Sequence, residues 1–244
     1  MTLIRILITF SLLVLSSVTH AYATDDARIS QMLEIMQSGN NEQKEQMLER
    51  LQWSGLSDSR LFDTFESDLM QHYQETYLDR DLASLLAYEV RALGYSGNPK
   101  YVTTLELLAN KAANSKLKRH ARKAKSDLPQ FIEVQQQLAK VKLDKVDEQP
   151  AEIISYMKLL ETNDSYAQRL AARAIYHEQR TQPVLLDLVA EKLKNVYMDT
   201  GLDKVGQDMA AWLCKDLKQS VRYKAFLKEV AANTPHKKIK RYAD

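Results

Sequence analysis

The densest chemistry in this sequence is cationic. Lys116, Lys118, Arg119, Arg122, Lys123 and Lys125 fall within ten residues, with His120 among them. Leu117, Ala121, Ala124 and Leu128 recur at helical spacing through the same segment, which therefore reads as a helix with a narrow apolar stripe and a cationic remainder. Two readings fit it. One is a solvated outer helix docked through its stripe. The other is a surface for an anionic partner: lipid headgroups, lipopolysaccharide phosphate or an acidic protein. The tail from His236 to Arg241 carries similar charge.

Other chemistry is thinner. A lone glutamate can act as general acid and base in helical enzymes that cleave peptidoglycan. Here Glu89, Glu106 and Glu178 lack a glycine- and aromatic-rich setting and read as helix-surface acids, so an enzyme is the third-ranked reading. His72, His120, His177 and His236 include no pair at the i, i+4 spacing of a helical zinc site and have no cysteine nearby. No nucleophile elbow or phosphate loop occurs, and no cofactor is implied. Cys214, the only cysteine, lies in an apolar helical run. It reads as a partly buried thiol, with an intermolecular disulfide as the alternative.

The N-terminus bears on compartment. Arg5, an apolar run from Ile6 to Val18 and the Ala21-Tyr22-Ala23 site together read as a secretory signal peptide cleaved after Ala23. The run is shorter than the roughly 20 residues a bilayer requires. The expectation is a periplasmic or secreted protein, with residues 24–244 as one domain and no transmembrane segment after cleavage. Export also argues against nucleic acid as a partner, although the charge would suit it.

The elements that must position these residues read as helices throughout. Glycine and proline number only 6 and 5, and no run alternates as a strand would. Residues 24–80 carry twelve acids against five bases, whereas 81–125 and 215–244 each carry nine bases against three acids. An elongated molecule would therefore be a charge dipole able to steer an encounter. Each proline follows a capping residue and precedes a helical pattern, so all five are expected at helix starts. Between two helices, Ala92–Val102 supplies Gly94 and Gly97 for a turn, Asn98 as N-cap and Pro99 at the first helical position.

That joint recurs. It aligns with Leu51–Leu61 at a shift of 41, with Ala174–Val184 at twice that, and with Ala211–Val221 another 37 on; Pro129 marks an irregular copy, and Pro150–Glu161 reads as an inserted helix. Leu82–Ala113 and Tyr166–Leu193 resemble HEAT-type repeats. The resemblance implies an all-α solenoid of about five helix pairs, a protein-binding scaffold whose second helices line a concave face. On those helices the outward strips are Thr103, Leu107 and Asn110; Glu133, Gln136, Gln137 and Lys140; and Asp187, Glu191 and Lys194. They form either a mixed-charge groove for another envelope protein or merely solvated faces.

Overall fold

Side-chain caps set six of the helix starts. Asn40, Asp58, Asp79, Asn114, Asp164 and Asp203 each accept a backbone N–H from the first turn that follows, which satisfies donors that have no partner within the helix. In the computed structural model, which describes residues 25–77, 79–143 and 149–244, twelve α-helices result: α1 (Asp25–Ser38), α2 (Asn41–Arg50), α3 (Ser59–His72), α4 (Arg80–Tyr95), α5 (Val102–Lys111), α6 (Ser115–Leu138), α7 (Ala151–Glu161), α8 (Ser165–His177), α9 (Pro183–Val196), α10 (Lys204–Lys218), α11 (Lys224–Asn233) and α12 (Lys237–Ala243). No strand occurs among the described residues, and none of their helices is long and apolar enough to cross a membrane. The expected signal peptide, residues 1–23, lies outside the described residues.

The chain is an all-α stack of helix pairs of the solenoid kind. Each odd-numbered helix folds back on the even-numbered helix after it. The even helices then pack side by side, α2 on α4 on α6 and α8 on α10 on α12. This makes six pairs where about five were expected, because α7 is the first member of a pair and not an insertion. The pair boundaries also fall one helix earlier than the repeat units suggested. The principal packing of α4 is on α3 and α6, and that of α5 is on α6. The joint at Ala92–Val102 is thus a crossover between pairs.

Two details of that joint change. Gly97 does turn the chain, at φ 62°, and a Cβ there would stand 2.6 Å from the Phe131 carbonyl oxygen. Gly94 instead lies inside α4 at the closest approach to α6, where a Cβ would meet Ala124 backbone at 2.9 Å. Pro129 does not start a helix: it lies within the 24 residues of α6. Proline there removes one backbone hydrogen bond. The other four prolines sit at helix entries.

The structure adds a larger repeat. Helices α1–α6 recur as α7–α12, 124 residues on, or 122 after the crossover that follows α10, which is two residues shorter than its counterpart. Local features follow the same shift. Gly55 at φ 70° corresponds to Gln179 at φ 52°. The Tyr101 hydroxyl donates to Asp63 at 2.7 Å, and the Tyr223 hydroxyl to Asp187 at 2.8 Å. Asn114 donates to the Thr76 carbonyl, and its counterpart, the His236 ring, bonds the Asp199 carbonyl, one residue before the counterpart of Thr76. The chain is therefore two copies of a three-pair unit, joined through the second half of α6 and residues 139–150.

The halves meet near the ends of α2 and α8. Arg28 of α1, only 6% exposed, donates to Ser155 of α7 at 2.8 Å. The second half of α6 is tied to the N-terminal half of the chain through Gln135, which donates to the Gly55 carbonyl at 3.3 Å, and reaches the C-terminal half through Phe131, which meets Tyr166 edge-on with ring centroids 5.9 Å apart. Trp53 stacks on His177, its own counterpart in the other half, at 6.4 Å and 12° between planes. One continuous apolar core runs through both halves.

Candidate functional site

The principal cavity lies at this meeting of halves, with a volume of about 710 Å³. Its wall comes from the C-terminal turn of α2 (Gln46, Glu49, Arg50), the 3-10 turn Leu51–Trp53, Arg91 of α4, Arg173 and His177 of α8, and the crossover Glu178–Arg180. A second hollow of about 220 Å³ adjoins it, sharing Gln46, Arg50, Trp53 and Glu178 and reaching Arg28, Met32 and Tyr156. Concave sites lined by a few polar groups at an interface between units are where ligands bind by preference.

Glu178 organises the floor. Its Oε1 accepts the Trp53 indole N–H at 3.0 Å, and its Oε2 accepts Nε and Nη2 of Arg180 at 3.1 and 3.0 Å. Arg180 also stands 3.6 Å from Glu152. Burial lowers the guanidinium pKa, but the hydrogen bonds and charge of Glu178, with Tyr156 and Glu152, together outweigh it and hold the value above the ordinary one. Burial first, and Glu178 second, push the Tyr156 phenol well above its ordinary range. Arg180 is therefore neutralised and serves structure.

The remaining arginines are different. Arg50, Arg91 and Arg173 have no ion-pair partner among the described residues. The Arg91 Nε donates to the Tyr95 hydroxyl at 3.0 Å, and its guanidinium lies 5.5 Å from the Tyr88 ring centroid. Arg173 leans on Trp212, 5.8 Å from its centroid, with Nε buried and unbonded. An aromatic wall continues outward from Trp53 through His177 to Trp212 and Tyr176, with centroids 5.5 Å apart within the last three. Lys215 sits 3.6 Å above the Trp212 ring. Forked, unpaired guanidinium groups beside flat rings suit a ligand that carries carboxylates or other oxyanions and some planar or apolar surface.

The sequence pointed elsewhere. Thr103 and Asn110 are exposed and Leu107 half-buried on α5. Glu133 and Gln136 are exposed and Gln137 half-buried on α6, with Lys140 exposed just beyond. Asp187, Glu191 and Lys194 are exposed on α9. None of them lines the cavity. Helices α5 and α6 pack together, but α9 packs on α7 and α10 in the other half. The three strips therefore lie on two halves and not along one row, and Asp187 is already engaged by Arg222 and Tyr223. The hollow lies instead on the even-helix layer (α2, α4, α8), because the crossovers ending those helices bring the halves together. The signal available in the sequence was the cluster Arg50–Trp53 with its counterpart Ala174–His177, visible only once the long repeat is known.

The basic segment forms the first half of α6. Lys123 pairs with Asp127, and Lys125 with Glu106 at 2.6 Å. Arg122 donates to the Ala109 carbonyl at 3.3 Å, and Lys116 to Ser84 at 3.2 Å. Lys118 and Arg119 have no acidic partner among the described residues. The three glutamates Glu89, Glu106 and Glu178 have separate fates. Glu106 holds Lys125, Glu178 holds the cavity floor, and Glu89 is fully buried with neither carboxyl oxygen bonded. Cys214 is fully rather than partly buried, and burial pushes its thiol up to about 12. No group of three potential metal ligands gathers among the described residues.

Fold and cavity define a class, a helical-pair stack with a basic, aromatic hollow between duplicated halves. No protein family matches the chain, and no curated protein or solved structure is significantly similar to it.

Proposed function

We propose that this is a non-enzymatic, exported scaffold or adaptor of the cell envelope, needing no cofactor, that holds a segment of a partner protein in the cavity between its halves. The observation that carries the reading is the cavity wall: three arginines without acidic partners beside Trp53 and His177, on an otherwise preformed surface. The HEAT-like resemblance of the helix pairs and the signal-peptide pattern read in the sequence of residues 1–23 support the scaffold and envelope parts of it. The partner segment would be extended and carry carboxylates, since guanidinium forks bind these bidentately.

A pull-down from the native envelope with the chain from residue 24 tests the site. The double variant Arg50→Glu/Arg173→Glu should lose the captured partner. The variant Glu191→Lys/Lys194→Glu, on the α9 strip, should keep it. The opposite pattern would move the site to the outer strips. A partner lost steeply with salt and recovered on anionic vesicles would favour the second reading, docking of the basic half of α6 on an anionic envelope surface, for which Lys118 and Arg119 remain free.

A further inference from the structure

Two small hollows on the even-helix layer are copies of one another. One, of about 110 Å³, lies between α4 and α6; the other, of about 140 Å³, lies between α10 and α12. Under the long repeat their walls correspond: Ala87 with Ala211, Tyr88 with Trp212, Arg91 with Lys215, Lys116 with Lys238, and His120 with Tyr242. Both are therefore cationic and aromatic. The informative difference is the sixth pair, Ser84 with Asp208.

In the C-terminal hollow an acid answers the lysine charge internally, although Lys215 and Arg241 also line it without an acidic partner among the described residues. Lys238 Nζ donates to Asp208 at 2.6 Å, and the other oxygen of the same carboxylate takes Arg169 at 3.4 Å. In the N-terminal hollow Lys116 Nζ occupies the corresponding place but meets the neutral Ser84 hydroxyl at 3.2 Å. The Nε of Arg91 is used by Tyr95, while its two Nη groups have no acceptor among the described residues. His120 completes the wall. Burial first, then Arg91, Arg119 and Lys116, hold its imidazole below the ordinary range, as a positive local field requires. No acid lines this hollow.

We propose that the hollow between α4 and α6 is an anion site for one tetrahedral oxyanion, a phosphate or sulfate group, taken where its counterpart holds the Asp208 carboxylate. Arg91 and Lys116 supply the charge, and Ser84 and His120 supply neutral hydrogen-bonding groups. The volume equals three to four waters at about 30 Å³ each, room for one such group and little more. The group is either a free ion or the headgroup of a lipid; the chemistry at the site is the same.

The inference stands apart from the partner-binding reading, although Arg91 borders both spaces. Calorimetric titration of the whole chain from residue 24 with sodium sulfate and with inorganic phosphate, at low ionic strength, should find one bound anion. Ser84→Asp, which copies the C-terminal half, should weaken binding at least tenfold with the circular dichroism unchanged. Asp208→Ser, which copies the N-terminal half, should add a second equivalent. In a parallel arm, vesicles containing phosphatidic acid should bind in a Ser84→Asp-sensitive manner if the group is lipid-borne, and should not if it is free. Equal behaviour of wild type and Ser84→Asp in both arms, or no second equivalent in a folded Asp208→Ser, would overturn the proposal. Neither variant touches Arg50 or Arg173, so failure here is distinct from failure of the cavity.

Discussion

The N-terminal half and its C-terminal copy share their helices and differ in the polar residues set among them. Ile29 and Ile153, Leu105 and Leu227, and Leu117 and Ile239 are buried counterparts that build the same core twice. Against that common frame, Glu89 is buried where the copy has Leu213, and Asp216 is buried where the first half has Ala92; all four are 0% exposed. Each half thus carries one buried, unbonded acid that the other shows to be unnecessary for the fold. Burying an ionisable group without a partner costs stability, so neither acid is kept for packing. Apolar burial is what the halves hold in common, whichever apolar side chain supplies it, and an ionisable group set into it marks where something other than packing acts.

Swapping residues between the halves breaks or sharpens this comparison. The largest loss should come where the halves touch. Trp53→Ala removes the ring on His177 and the bond to Glu178, and should cost about 3–5 kcal/mol in urea unfolding; a loss under about 1 kcal/mol would mean that the halves do not depend on this contact. Gly94→Ala comes next. Its new methyl meets Ala124 backbone, whereas the equivalent Lys218 is exposed because α12 ends without reaching it. Overpacking should cost about 1–3 kcal/mol, partly offset by the helix preference of alanine.

Glu89→Leu copies Leu213 and should stabilise. Burial first and the negative Asp68 second raise Glu89 from an ordinary 4.5 to about 10, against the opposing Lys44. A raised pKa favours the protonated folded state, so the stability Glu89 allows is fully present below about pH 4.5 and is lost as pH rises toward about 10. The gain from leucine should therefore be small near pH 4 and grow by about 1.4 kcal/mol per pH unit above about 4.5, to about 4–5 kcal/mol by pH 8, measured as the difference between the two unfolding curves. A gain independent of pH would show that Glu89 is charged in the folded protein. The smallest effect belongs to Cys214→Val, which copies Val90. Both positions are fully buried, so the change should stay below about 1.5 kcal/mol. The native thiol should react with a thiol reagent only on unfolding.

Much of the scaffold was legible from periodicity and caps. Capping residues such as Asn98 stand next to apolar stripes of period 3.6, and local spacing is enough to show both. The register of 82 that set Gly97 over Gln179 was legible too, and both residues adopt positive φ. The long repeat was hidden for two physical reasons. Apolar residues interchange freely at equivalent core positions, as Met32 with Tyr156 and Leu48 with Ala172, and the shortened crossover after α10 shifts the register midway. Pro129 misled because a single lost hydrogen bond is tolerated in a helix held on both sides by α4 and α5.

The amino-acid sequence alone determined that the chain is helical and roughly where the helices begin, because propensity, capping and amphipathic spacing act between residues a few positions apart. Only the tertiary structure decided which helices pair, that the halves are copies, and that Arg50, Arg91 and Arg173 share one hollow with Trp53 and His177. The pairing depends on which faces of consecutive helices pack, and the hollow on contacts across more than a hundred residues, such as Trp53 to Glu178, which side-chain packing selects and local spacing does not encode.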